Sequence, residues 1–267
     1  MSERNVILVV SFGTASAESR RLNIDAVEQA IGEAAGESWS IQRCFTSRTI
    51  INIIAKKEGI KTYSIAEALE KAAAEGVKNL VVQPTHLMKG LEYDKLVSVL
   101  ADYSDSFVKT SVGDPLLTSE GDFDRVADAL IDASAVYEDG STALVFMGHG
   151  TEAAANSIYD KMQSVLNSKG KADYFVGTVE AEPSLDDVIR AVGAGNYKRV
   201  VLRPLMLVAG NHAVKDMASA DDPDSWYSRF TDEGYETVCI IEGLGQLPAI
   251  RDIYADHTHR AIASLDN

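Results

Sequence analysis

Residues 64–93 read SIAEALEKAAAEGVKNLVVQPTHLMKGLEY, and residues 184–213 read SLDDVIRAVGAGNYKRVVLRPLMLVAGNHA. At a constant offset of 120 residues, with no gap, Ser64 stands against Ser184, Lys78 against Lys198, Val81 against Val201, Pro84 against Pro204, Leu87 against Leu207 and Gly90 against Gly210. Both copies carry the same physical instructions. Ser64 with Glu67, and Ser184 with Asp187, have the spacing of a capping box that opens a helix. Ile65, Leu69 and Ala72 recur at helical spacing, as do Leu185, Ile189 and Val192. Gly76 and Gly195 are expected to close the helices at positive φ. The continuous apolar runs Leu80–Val82 and Val200–Leu202 suit parallel strands covered on both faces. Pro84 and Pro204 end them, because proline cannot donate to a ladder.

Working outward, each half also opens alike. Val6–Val10 runs into Ser11-Phe12-Gly13-Thr14, and Ala143–Met147 runs into Gly148-His149-Gly150-Thr151. A second strand follows in each half, Ser40–Phe45 before Thr46-Ser47-Arg48 and Tyr174–Gly177 before Thr178-Val179-Glu180. Strands alternating with helices predict an α/β fold. The expectation is two Rossmann-like lobes with parallel sheets, related by the internal repeat, with an active-site cleft between them. The boundary is expected near Asp132–Ser141, giving an N-terminal lobe at 1–135 for holding substrate and a C-terminal lobe at 136–267 for binding metal. The last helix, 249–265, has Ile250, Ile253, Tyr254, His257, Ala261, Ile262 and Leu265 on one face and can pack back on the first lobe.

Composition excludes several classes. The chain has 267 residues and a net charge of −15, which disfavours nucleic acid and anionic membrane surfaces as partners. No run of 18 apolar residues predicts a membrane span, and Val6–Val10 is too short for the core of a signal peptide, so a cytoplasmic protein is expected. Cys44 and Cys239 make neither a disulfide framework nor a zinc-finger pattern and read as buried small hydrophobes. There is no Gly-x-Gly-x-x-Gly or phosphate-cradling lysine loop after the first strand, and no Gly-x-Ser-x-Gly elbow.

In parallel sheets, ligands bind beyond the carboxyl ends of the strands. In the second half these ends carry His149, Glu180 (with Glu182 a close competitor) and, past Pro204 and Gly210, His212. Two imidazoles and a carboxylate suit a divalent transition metal with open positions. The first half has Phe12 in place of His149, Ser47 and Arg48 in place of Glu180, and Glu92 in place of His212. One half therefore looks equipped for metal and the other for holding something. His86 is placed to line the cleft, His257 reads as a satisfied core histidine, and His259 as exposed.

The segments Val-Ser-Phe-Gly-Thr (10–14), Phe-Thr-Ser-Arg (45–48), Gly-His-Gly-Thr (148–151), Gly-Thr-Val-Glu (177–180) and Arg-Pro-Leu-Met-Leu-Val-Ala-Gly-Asn-His (203–212) resemble, in order and over nearly the whole chain, the anaerobic sirohydrochlorin cobaltochelatase family. That family resembles the class II chelatases, ferrochelatase among them, which have two similar α/β lobes. The resemblance implies insertion of Co(II) into sirohydrochlorin for cobalamin synthesis, with His149, Glu180 and His212 as metal ligands and His149 also taking ring protons. Some family members carry export signals; this sequence shows none, which favours the cytoplasm. No permanently bound cofactor is implied; Co(II) is the substrate metal, and Fe(II) or Ni(II) would fit the same ligands. A sirohydrochlorin ferrochelatase and a non-catalytic two-lobed metal or tetrapyrrole binder are the alternatives. The substrate is a polycarboxylate, so local basic residues must overcome the acidic global field. Arg48, Lys89 and Arg203 are expected to supply that charge, Ser11, Thr46 and Ser47 to donate hydrogen bonds, Phe12 to pack on the ring, and Glu92 to lie beside it. The oligomeric state is not legible, although a homo-oligomer is compatible with the sequence.

Overall fold

The computed structural model describes residues 4–266. The first part of the chain runs β1 (Asn5–Ser11), α1 (Ala17–Ser19), a π-helical stretch (Arg20–Asp25), α2 (Ala26–Ala35), β2 (Trp39–Phe45), α3 (Arg48–Glu58), α4 (Ile65–Ala74), β3 (Asn79–Pro84), α5 (Leu91–Ala101) and β4 (Lys109–Val112). Then follow α6 (Glu120–Ser134), β5 (Thr142–Gly148), α7 (Ile158–Ser168), β6 (Tyr174–Thr178), α8 (Leu185–Gly193), β7 (Arg199–Pro204), a second π-helical stretch (Ala213–Met217), α9 (Trp226–Asp232), β8 (Glu236–Cys239) and α10 (Pro248–Ser264). Two compact units result. One comprises the residues up to Thr118 and those from Pro248 onward; the other is Ser119–Leu247.

Each unit has its own four-stranded sheet. The orders are β2-β1-β3-β4 and β6-β5-β7-β8, the same order twice, with every pairing parallel. The registers match as well: Val10 pairs with Pro84 and Met147 with Pro204. The duplication read from residues 64–93 and 184–213 is therefore a duplication of topology.

The cores explain why these runs became central strands. Val6, Leu8, Val10, Leu80 and Val82 pack with Leu69 and Leu96 in the first unit. Ala143, Val145, Met147, Val200 and Leu202 pack with Val188, Trp226 and Phe230 in the second. β1 and β5 are buried on both faces, and burial stabilises each such Val or Leu by roughly 1.5–3 kcal/mol. Ser64 with Glu67 and Ser184 with Asp187 form complete capping boxes. Gly76 takes φ +72°. Gly195, expected to do the same, does not; a Cβ there would stand 2.3 Å from the Tyr197 ring, so close packing is what calls for glycine.

Strands β4 and β8 have no fully buried residue and α9 is seven residues long, so their sequence patterns are weak, whereas α6 opens with a complete Ser119–Asp122 capping box and buries Phe123, Val126 and Leu130. The compact units divide at Thr118/Ser119, whereas the sequence placed the boundary at 135/136. The difference is α6, which packs on α7 within the second unit. Helix α10 packs on α2, β3 and β4 of the first unit. There Tyr254 donates to the Thr85 carbonyl at 2.9 Å and His257 Nδ1 donates to the Asp114 carbonyl at 2.9 Å. His257 is buried and His259 exposed. No helix among the described residues is long and apolar enough to cross a membrane.

Candidate metal centre

The second unit brings His149, Glu180 and His212 together. One donor atom from each lies within 4.8 Å of the others. Three donors about 2.1 Å from one divalent ion stand roughly 3 Å apart at right angles, so modest side-chain rotation closes the set. The two imidazoles meet edge to face, with ring centres 4.5 Å apart and planes at 78°.

Local structure dictates this convergence. Gly148 pairs with Thr178 at the ends of β5 and β6. The ladder then continues for two more bonds, Val179 N–H to the Gly148 carbonyl at 3.0 Å and Glu180 N–H to the His149 carbonyl at 2.9 Å. His149 and Glu180 are thus held side by side, and His149 Nδ1 lies 3.6 Å from Glu180 Oε2. Glycine is required on both sides of His149. A Cβ at Gly148 would sit 2.1 Å from the Tyr159 ring. Gly150 has φ +87°, and a Cβ there would meet the Ala181 nitrogen at 2.9 Å.

Ring orientation is set by neighbours that the sequence reading missed. His149 Nδ1 lies 3.1 Å from the Gly150 carbonyl, which only accepts, so Nδ1 carries the proton and Nε2 presents its lone pair. His212 Nδ1 donates to Asp216 Oδ2 at 2.6 Å, which likewise frees Nε2. Asp216 lies four residues on from His212 on a helical turn, a spacing that could have revealed it. The Tyr159 hydroxyl accepts from the Gly150 N–H at 3.2 Å. Both imidazoles are partly buried and Glu180 is exposed, so the donors are reachable.

The remaining expected site residues divide. Arg203 is buried; its guanidinium donates to the Ala133 carbonyl at 2.7 Å and to Glu242 at 3.0 Å, so it braces the second unit and is not free for substrate. In the first unit, Ser11 is buried with its hydroxyl bonded to Thr85 at 2.7 Å, and Ser47 caps α3 by accepting from Ile50 N–H. Thr46 is buried with an unpartnered Oγ1. Arg48 is exposed, Phe12 is 53% exposed, and Lys89 is half-exposed in an ion pair with Asp114 at 2.8 Å. Glu92 follows the uncapped start of α5, and its Oε2 is buried without a partner. His86 has both ring nitrogens buried and unpartnered; desolvation lowers its pKa from 6.5 to about 4, outweighing the opposing charge of Glu92. Glu182, the competitor of Glu180, has its side chain engaged elsewhere: its carboxylate accepts the Ser184 N–H at 2.9 Å.

The sequence profile described as Cobalt chelatase (CbiK) matches residues 5–263. This chain belongs to the cobalt chelatase family. It is 34% identical over 259 residues to a sirohydrochlorin cobaltochelatase of Salmonella typhimurium, covering 97% of each chain. It is also 34% identical over 209 residues to the sirohydrochlorin cobaltochelatase CbiKC of Nitratidesulfovibrio vulgaris, covering 78% of this chain and 73% of that one. Among solved structures it resembles SirB from Bacillus subtilis with Fe3+, at a TM-score of 0.63 and 13% identity, over 98% of this chain and 97% of that one. At that identity the likeness speaks for a shared chelatase fold alone.

Proposed function

We propose that this member of the cobalt chelatase family inserts Co(II) into sirohydrochlorin with release of two protons, in the anaerobic route to cobalamin. The observation that carries the reading is the convergence of His149, Glu180 and His212 on the connections that follow three strands of one sheet, in a chain matched to that family over residues 5–263. Its relatives are named for the same reaction.

In this reading, His149 and His212 receive Co(II) through Nε2, and the Glu180 carboxylate supplies the negative charge that draws the cation out of water. The ring must lose two pyrrole protons as the metal enters. His149 takes one proton from the ring once its lone pair has handed over the metal, and the second passes to solvent water; imidazole suits both tasks because its ordinary titration lies near neutral pH. Binding energy from the peripheral carboxylates helps distort the ring and expose its nitrogen lone pairs. Arg48 and Lys89 contribute to that binding, and Phe12 offers an exposed aromatic face. Co(II) is the metal of choice in this reading, while iron and nickel remain chemically compatible with two imidazoles and a carboxylate.

The test is the initial rate of metallation with His149→Ala. The variant is expected to fall to the uncatalysed rate at every cobalt concentration. Near-normal turnover by it would overturn the assignment of His149.

A further inference from the structure

His149 and Glu180 lie on separate loops, 148–151 after β5 and 178–183 after β6. Each loop is fastened at its near end by its own partner. The Gly150 N–H donates to Tyr159, and the Thr178 hydroxyl both accepts from Ala181 N–H at 3.2 Å and donates to the Ala181 carbonyl. Beyond the two ladder bonds at residues 179 and 180, the Asn156 side chain joins the far ends. Asn156 Oδ1 accepts the Thr151 N–H at 3.0 Å, and Asn156 Nδ2 donates to the Glu182 carbonyl at 2.5 Å. Thr151 is two residues past His149 and Glu182 is two residues past Glu180. The carboxamide therefore grips both loops at the same distance from their ligands.

We infer that Asn156 is a positioning residue that sets the separation of His149 and Glu180 and so the affinity of the site for its metal. This rests on the proposed His149–Glu180–His212 centre. Asparagine suits the task because one rigid planar group offers an acceptor and a donor on opposite sides. An aspartate of the same shape would keep the bond from Thr151 but set a carboxylate oxygen against the Glu182 carbonyl. Asn156 sits in a short turn (Ala154–Ser157) whose chain continues into α7, the helix that also carries Tyr159. The link is thus backed by a packed element and not by a free loop. Partners that orient metal ligands without touching the metal commonly carry about 10–100-fold in affinity.

The test is anaerobic titration of the full protein with Co(II) alone, followed by the visible ligand-field spectrum, for wild type, Asn156→Asp, Asn156→Ala and His149→Ala. Far-UV circular dichroism confirms folding, and the near-isosteric Asp variant carries the test if the Ala variant misfolds. Both Asn156 variants are expected to bind Co(II) about 10–100-fold more weakly with an altered spectrum. In turnover, their KM for Co(II) should rise while KM for sirohydrochlorin holds. Wild-type affinity and spectrum in Asn156→Asp would overturn the inference and leave the metal centre standing. Undiminished Co(II) binding by His149→Ala would instead overturn the centre itself, and the inference with it.

Discussion

Asp216 Oδ2 accepts a 2.6 Å hydrogen bond from His212 Nδ1, which leaves Nε2 free to bind a metal. Asp216→Ala is expected to weaken Co(II) binding by about 10–100-fold without unfolding the second unit, since Asp216 is partly exposed. Calorimetric titration checks this, and unchanged affinity would contradict the orienting role. His86 offers a prediction of a different kind. Its pKa is lowered from 6.5 to about 4 by desolvation of two unpartnered ring nitrogens. The unfolded chain therefore binds a proton below pH 6.5 that the folded protein refuses until about pH 4. Stability should fall as pH drops through that window, by about 3 kcal/mol in total, and this contribution should level off below it. In urea unfolding measured across the same pH range, His86→Leu should lose this slope; parallel curves for the two proteins would refute it. The three ligand candidates were legible in the sequence because they end matched strands of a repeat. Tyr159 and Asn156 were not, because their roles are hydrogen bonds to backbone atoms that no residue pattern announces, while the one signal for Asp216 was its i,i+4 spacing from His212. Arg203 misled for a related reason: its position at a strand end was legible, but its burial against the Ala133 carbonyl was not.

The loop from Gly148 to Thr151 is the element on which the centre depends. Gly150 needs both its positive φ of +87° and the space that a side chain would take from the Ala181 nitrogen. Gly150→Ala should therefore cost about 1–3 kcal/mol of stability and push the His149 loop away from the Glu180 loop. A lower melting temperature together with weaker Co(II) binding is the expected pair of results. A variant that melts lower yet binds Co(II) normally would detach the loop from the site. At this scale, the strongly patterned elements were the readable ones. β1, β5 and the capped helices α4 and α8 announce themselves through continuous burial or capping boxes. β4 and β8 are short edge strands that lack fully buried residues, so no hydrophobic run marks them. Gly195 shows the limit from the other side: a glycine after a helix looks like a positive-φ cap, whereas here the crowding of Tyr197 accounts for it.

At the scale of the molecule, one plan is used twice, with the same strand order and register in each unit, and among the described residues the second copy alone carries a His-Glu-His set. The first copy presents Phe12 after β1, Ser47 after β2 and Glu92 in the first turn of α5. Duplication was legible because residues facing the same core are constrained alike in both copies, while residues at strand ends are free to diverge. The net charge of −15 is carried by a protein proposed to bind a polycarboxylate, so raising ionic strength should help as much as hinder substrate capture. Catalytic insertion of metal, as opposed to stoichiometric capture of metal or ring, is the defining property of the proposed function. The direct measurement uses a small fraction of an equivalent of enzyme with sirohydrochlorin and Co(II) under anaerobic conditions, following the absorbance of the metallated ring and the protons released. Many rings are expected to be metallated per enzyme, with two protons released for each, and this rate should be lost in His149→Ala, His212→Ala. A change limited to one equivalent per protein would contradict it.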